Sequence, residues 1–347
     1  MRLSMQVNYG GTPAQLAEAA DRVGALERAG LDIVWVAEAY SFDAVSYMGY
    51  LAARTERITI GSAILPIYTR TPTLLGMTAA GLDALSGGRF ILGLGASGPQ
   101  VIEGFHGVAY DAPLGRTREV IDVCRQVWRR ERVVHDGAYY QIPLPAERGT
   151  GLGKPLKLIN QPVRPDIPIY VASLGPRNVE LTAEVADGWL PLFYAPEKAA
   201  AVFGPALAKG AANRPAELGP LEVVAGGIVA IGDDVEHLRD LQRPTVALYV
   251  GGMGARGHNF YNDLACRYGY ETEAKLIQDL YLDGRKAEAE AAIPGEFLEQ
   301  LSLVGPAGYV RERIAAFADA GVTVLNVNPV GPDPVGTIAR LRELVPA

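Results

Sequence analysis

Short runs of uninterrupted apolar residues, each followed by a stretch with helical spacing, constrain this chain more than any single motif. Leu3 to Asn8 reads as a first strand. Leu16, Ala20, Val23 and Leu26 predict a helix over 14–29 that stops at Gly30. Asp32 to Ala37, Arg57 to Gly61 and Phe90 to Gly95 are further strands, with helices predicted around 45–54, 72–85 and 117–130. Ile169 to Ala172, Gly188 to Pro191, Val223 to Ile231 and Val322 to Val327 continue the series. Strands that are apolar throughout are buried on both faces, which is the habit of parallel sheets covered by helices. About eight such units predict an α/β fold, a (β/α)8 TIM barrel spanning residues 1–347 as one domain. An open doubly wound sheet is the competitor, and the missing GxGxxG after the first strand counts against it. Two stretches break the alternation. Residues 133–160, with their glycines, prolines and aromatics, suit an inserted loop or hairpin over the barrel mouth. Residues 243–296, opening on Gly251 to Gly254, continue as polar helix-like segments.

A formal charge of −7 argues against nucleic acid or an anionic membrane as the main partner. Neither Cys124 nor Cys266 has zinc-ligand spacing, and their distance in sequence suits reduced thiols. With no leader-like h-region and no apolar run near 18 residues, a cytoplasmic protein is expected. His106, His135, His237 and His258 have no metal-ligand spacing, and HExxH, the GxSxG elbow and the P-loop are absent. A chain without an evident nucleophile, base or metal points to chemistry borrowed from a cofactor.

The ends of the predicted strands are where a barrel carries its site. Ser173 to Asn178 places a Gly175-Pro176 turn between a strand and a helix, with Arg177 and Ser173 beside it. Proline suits the first helical position because its missing N–H had no partner there, and the remaining N–H groups can receive an anion. The same turn would serve an ordinary βα-loop. Small residues after the third strand (Gly61, Ser62, Ala63) would let a flat ring lie against backbone, and those after the fourth (Gly95, Ala96, Ser97) make another turn where N–H groups can reach a ligand. Glu38 ends the second strand and either faces the mouth, stays solvated or caps a helix. His258 stands in a polar loop, near a site or simply on the surface.

Four segments together resemble the bacterial luciferase-like superfamily, in its coenzyme F420-dependent, methylenetetrahydromethanopterin reductase-like branch: 58–72, 93–107, 172–189 and 251–262, with the closing strand to Asn328. The resemblance covers nearly the whole chain. It implies a barrel with an insertion near the fourth to fifth strands, and a bulge with a non-proline cis peptide near Gly61, Ser62 and Ala63 behind the deazaflavin ring. It implies that Gly95, Ala96 and Ser97 line the cofactor. Ala172, Ser173, Gly175, Pro176, Arg177 and Asn178 would hold its tail phosphate. The activity implied is hydride transfer between deazaflavin C5 and a carbonyl, imine or activated alkene. A flavin-mononucleotide (FMN) monooxygenase and a noncatalytic flavin-binding protein are the alternatives. Several relatives carry Asp-His after the second strand, where this chain reads Glu38-Ala39, so that imidazole is missing. The glutamate of sugar-phosphate dehydrogenase relatives is replaced around Gly98, which argues against glucose-6-phosphate. Glu38, Tyr9 and His258 remain as candidate acids, and relatives are often homodimers.

Overall fold

The computed structural model describes residues 1–7 and 11–346. Eight parallel strands close into a ring: β1 (Arg2–Val7), β2 (Ile33–Val36), β3 (Thr59–Ser62), β4 (Phe90–Gly95), β5 (Ile169–Val171), β6 (Gly188–Trp189), β7 (Glu222–Ile231) and β8 (Val324–Pro329). Each pairs with the next in sequence, and β8 shuts the barrel against β1 through Arg2↔Val324. These are the eight apolar runs read from the sequence. A further parallel strand, Ser302–Gly305, was not anticipated. It exists because β7 is long: its first two residues pair with β6, and its last four would be an open edge without Ser302–Gly305 beside them.

Alternation along the strands sorts the apolar side chains into two layers. Ile33, Trp35, Ile91, Tyr170, Val224 and Val324 point into the barrel and fill it, with the rings of Trp35 and Tyr170 5.7 Å apart. The alternate residues, such as Val34, Val36, Leu92 and Leu94, pack under the outer helices with Trp128 and Trp189. The barrel is therefore a plugged core, and its strand ends are the place left for a ligand.

Six of the covering helices start on a proline: Pro13, Pro72, Pro113, Pro176, Pro196 and Pro334. The fourth helix runs Pro113–Trp128, four residues earlier than its apolar periodicity suggested, because Pro113 sets φ at its first position. The residue before the proline divides the helices into two kinds. Thr12, Thr71 and Asp333 accept a hydrogen bond from the first turn, as Asp43 does for Ala44–Arg54, whereas Ala112, Gly175 and Ala195 make no such side-chain bond.

Residues 133–160 form a small antiparallel hairpin, His135–Asp136 with Gln141–Ile142. The Glu119 carboxylate accepts the N–H groups of Ala138, Tyr139 and Tyr140, and Arg116 lies over the rings of Tyr68, Tyr139 and Tyr140. Both anchors belong to Pro113–Trp128, so the hairpin rides on that helix. The 243–296 segment is helical, with Phe260–Arg267 and Glu271–Leu282 its main pieces. No helix among the described residues is long and apolar enough to cross a membrane.

Candidate functional site

The carboxyl ends of β3 to β6 surround a cavity of about 380 Å³. Its floor is backbone from two neighbouring strands. Gly61 pairs with Ile91 and Leu65 with Leu94, so four steps on one side match three on the other, a one-residue bulge. The Ala63–Ile64 peptide within it is cis. Where the ladder is interrupted, the Ser62 hydroxyl substitutes for it, accepting from the Gly93 N–H and donating to the Gly93 carbonyl, each at 2.8 Å. Only glycine is possible at 93, since a Cβ there would lie 1.7 Å from the Ser62 carbonyl oxygen. A Cβ on Gly95 would come within 2.8 Å of the Ile64 side chain, so Ile64 lies directly on the β4 turn. Ala96 and Ser97 extend this small-residue surface, Ser97 with φ +58°.

The β5 turn makes the adjoining wall. Its carbonyls are pinned from behind: Trp189 Nε1 donates to Ser173 O at 2.9 Å and Arg267 Nη2 to Leu174 O at 2.8 Å. The helix Pro176–Val185 follows, and the N–H groups of Asn178 and Val179 both turn back to the Gly175 carbonyl. That leaves the Gly175 and Arg177 N–H groups without a carbonyl partner among the described residues. Arg177 is exposed and makes no ion pair among them. Asn178 Oδ1 is buried and unpartnered. Thr182 donates its hydroxyl proton to Asn178 O at 2.7 Å, so in the 2.8 Å contact between Ser173 and Thr182 the donor is Ser173. Ser173 therefore offers a ligand lone pairs only. No aspartate or glutamate is among the described lining residues, so Arg177 sets the sign of the local field.

The remaining walls are apolar or phenolic: Leu190 and Leu192 after β6, Pro113 and Leu114 at a helix start, Tyr110, and Phe260 with Tyr261. Burial raises the pKa of Tyr110 above the ordinary phenol value, and burial with the neighbouring Tyr249 and Tyr110 does the same for Tyr261, so both phenols are harder to ionise.

The profile of the luciferase-like monooxygenases matches residues 2–324. The chain belongs to that family. A Mycobacterium tuberculosis protein assigned as a coenzyme F420-dependent oxidoreductase is 42% identical over 346 residues, 98% of this chain and 99% of that protein. The 5,10-methylenetetrahydromethanopterin reductase of Archaeoglobus fulgidus is 28% identical over 332 residues, 92% of each chain. The structure of the coenzyme F420-dependent tetrahydromethanopterin reductase from Methanopyrus kandleri superposes with a TM-score of 0.80 at 23% identity, covering 99% and 98% of the two chains, and so shares the barrel. This luciferase-like chain is an oxidoreductase by family.

Within this luciferase-like barrel, Gly95, Ala96, Ser97, Ala172, Ser173, Gly175, Pro176, Arg177 and Asn178 all line the one cavity. Gly61, Ser62 and Ala63 do not. Gly61 sits a layer lower, making room for the Trp35 ring, and Ser62 is buried in its bonds to Gly93, so Ile64 reaches the surface instead. Glu38 is largely buried but committed. Arg70 Nη1 and Nη2 hold its two oxygens at 2.5 and 2.9 Å, the Ala44 N–H adds a third bond, and Asp43 holds Arg70 in turn. His258 is exposed and is not among the lining residues. Tyr9 lies outside the described residues. Sequence reasoning passed over Leu190, Leu192, Tyr110 and Tyr261. Leu190 and Leu192 follow a strand end directly, a signal that was available. Tyr261 follows Asn259, a good helix-capping residue, at the start of a helix in the inserted segment.

Proposed function

We propose that the chain is a coenzyme F420-dependent oxidoreductase moving a hydride between deazaflavin C5 and a small carbonyl, imine or activated alkene. One observation carries this: a flat backbone surface and an uncapped helix start with a free cation open into the same cavity, and no carboxylate joins them among the described residues. That arrangement suits a planar ring with an anionic tail, and the named relatives support the choice of a deazaflavin. Ile64, Gly95, Ala96 and Ser97 hold the ring. The Gly175 and Arg177 N–H groups and the Arg177 guanidinium take the tail phosphate, while Ser173 accepts from a tail hydroxyl. Ala172, Pro176 and Asn178 shape the turn. When bound in reduced form, the cofactor supplies the hydride; the protein supplies orientation and a dry wall. Glu38 acts as a brace for Arg70 and the helix at Ala44.

Titration with oxidised coenzyme F420, followed by its fluorescence, tests the assignment against flavin mononucleotide. Tight F420 binding is expected. FMN binding with no F420 binding would overturn the cofactor and restore the monooxygenase alternative. F420 binding with no transfer to any acceptor would restore the noncatalytic one.

The partner we infer is a second copy of the chain. The exposed side of Pro72–Ser86 presents Leu74, Met77, Gly81, Ala84 and Leu85, and the one charged residue of that helix, Asp83, is buried. Such a bare apolar face favours self-association. Sedimentation should give a dimer, and a monomer at micromolar concentration would remove this reading.

A further inference from the structure

We propose that Tyr261 is the catalytic acid of this site and that the substrate is an uncharged, largely apolar ketone or aldehyde. The proposal rests on the deazaflavin reading above. Hydride addition to a carbonyl leaves electron density on oxygen, and a proton has to arrive there. Glu38 has both oxygens engaged by Arg70 and Ala44, and His258 is exposed and not among the residues lining the cavity. The titratable side chains on the described walls are Tyr110, Arg177 and Tyr261. Arg177 belongs to the tail turn. The Tyr110 hydroxyl lies 3.5 Å from the Ser97 carbonyl, a long contact that nonetheless aims it at backbone. The Tyr261 hydroxyl has no partner among the described residues.

Everything else about Tyr261 is held still. Its ring meets Tyr249 edge-on at 4.7 Å and Phe193 at 6.2 Å. Its backbone N–H donates to Asn259 Oδ1 at 2.9 Å, as does the N–H of Asn262 at 3.1 Å. Asn259 is itself buried, and its Nδ2 donates to the carbonyls of Tyr249 and Val250. One capping side chain thus joins the helix carrying Tyr261 to the segment carrying the ring it rests on. A clamped ring with a free O–H is a preorganised donor, which loses little freedom when a substrate oxygen arrives. Burial and the two neighbouring phenols keep it protonated over the whole physiological range. Ile64, Leu114, Leu190, Leu192 and Phe260 supply the apolar surroundings that set the substrate class.

The step balances as follows. When bound in reduced form, the deazaflavin would supply the hydride: its C5–H bond would break, the electron pair would form a C–H bond to the carbonyl carbon, and the ring would release a proton to solvent and end oxidised. The carbonyl π pair moves to oxygen, the Tyr261 O–H bond breaks, and the new alcohol O–H forms. Solvent then returns a proton to the tyrosinate.

Tyr261→Phe keeps the ring contacts and deletes the proton. Wild type and variant are loaded with reduced coenzyme F420 and given cyclohexanone, acetophenone and hexanal. At least one should be reduced by wild type, and the variant's transfer rate should fall about 10²- to 10⁴-fold, the usual range for a general acid. Coenzyme affinity, read by fluorescence, should stay within about twofold, since Tyr261 carries none of the tail contacts. Independently of turnover, the infrared carbonyl stretch of acetophenone bound beside oxidised coenzyme should lie at lower wavenumber in wild type than in the variant. An unchanged rate or an unchanged stretch in Tyr261→Phe overturns the role, and a wild type inactive on all three carbonyls overturns the substrate class. Failure to bind the coenzyme at all appears in the titration before substrate is added, and strikes the cofactor reading instead.

Discussion

The helices that follow β1 to β6 and β8 begin in two ways, and the starts that reach the cavity are of the uncapped kind. After β1, β2, β3 and β8 the first turn is satisfied by Thr12, Asp43, Thr71 and Asp333. After β4, β5 and β6 the residues in the same place are Gly98 or Ala112, Gly175 and Ala195, which have no side chain able to do so. A side-chain cap is worth about 1 kcal/mol, so leaving it out is a standing cost to the fold. Pro113 and Pro176 of the uncapped group both line the cavity, and none of the capped starts does. On the proposed reading, the N–H groups of the Pro176 start are the ones left for a ligand.

That contrast can be broken by exchanging the two kinds of start. Gly175→Asp would give the β5 helix the cap it lacks. The position has φ −69° and open space around it, so the side chain fits without strain. Affinity for coenzyme F420 should drop by about a hundredfold or more, because a carboxylate takes the N–H groups and repels the phosphate. Thermal unfolding should show the protein unharmed or stabilised by a few tenths of a kcal/mol. Equal loss of affinity for the dephosphorylated coenzyme would remove the anion site. Arg177→Ala sharpens the same point with a smaller change, about tenfold to a hundredfold weaker binding confined to the phosphorylated form. The smallest effect belongs to the capped side. Thr71→Ala should cost about 1 kcal/mol in denaturant unfolding and leave coenzyme affinity unchanged. A shift in affinity there would mean that the two sets of helix starts are not separate in function.

The ring of eight strands was readable because parallel strands buried on both faces leave continuous apolar runs. Ser302–Gly305 was not, because a four-residue strand between helices has too little length to show a period, and its reason for existing lies in β7. At the site, the small-residue turns after β4 and β5 were legible as local chemistry. Ile64 was missed in favour of Gly61 to Ala63, since a one-residue bulge changes which side chain surfaces and leaves no mark on composition. Glu38 had been left open between mouth, solvent and helix cap. Its bond to the Ala44 N–H supports the last, but Arg70, 32 residues away, could not be inferred from Glu38 itself. Tyr110 and Tyr261 are brought together from positions far apart in sequence, and only folding relates them.

The Ser62 hydroxyl that stands in for the ladder at Gly93 has a consequence for how the barrel breathes. Elsewhere a strand amide exchanges its proton with solvent when two backbones part. At Gly93 the acceptor is a single rotatable side chain directly beneath Ile64 and the β4 turn. Its amide exchange therefore reports on one local rotation beneath the floor of the cavity. A ligand pressing on Ile64 should slow that proton more than those of Leu92 or Leu94 on either side, giving the site a built-in gauge of occupancy.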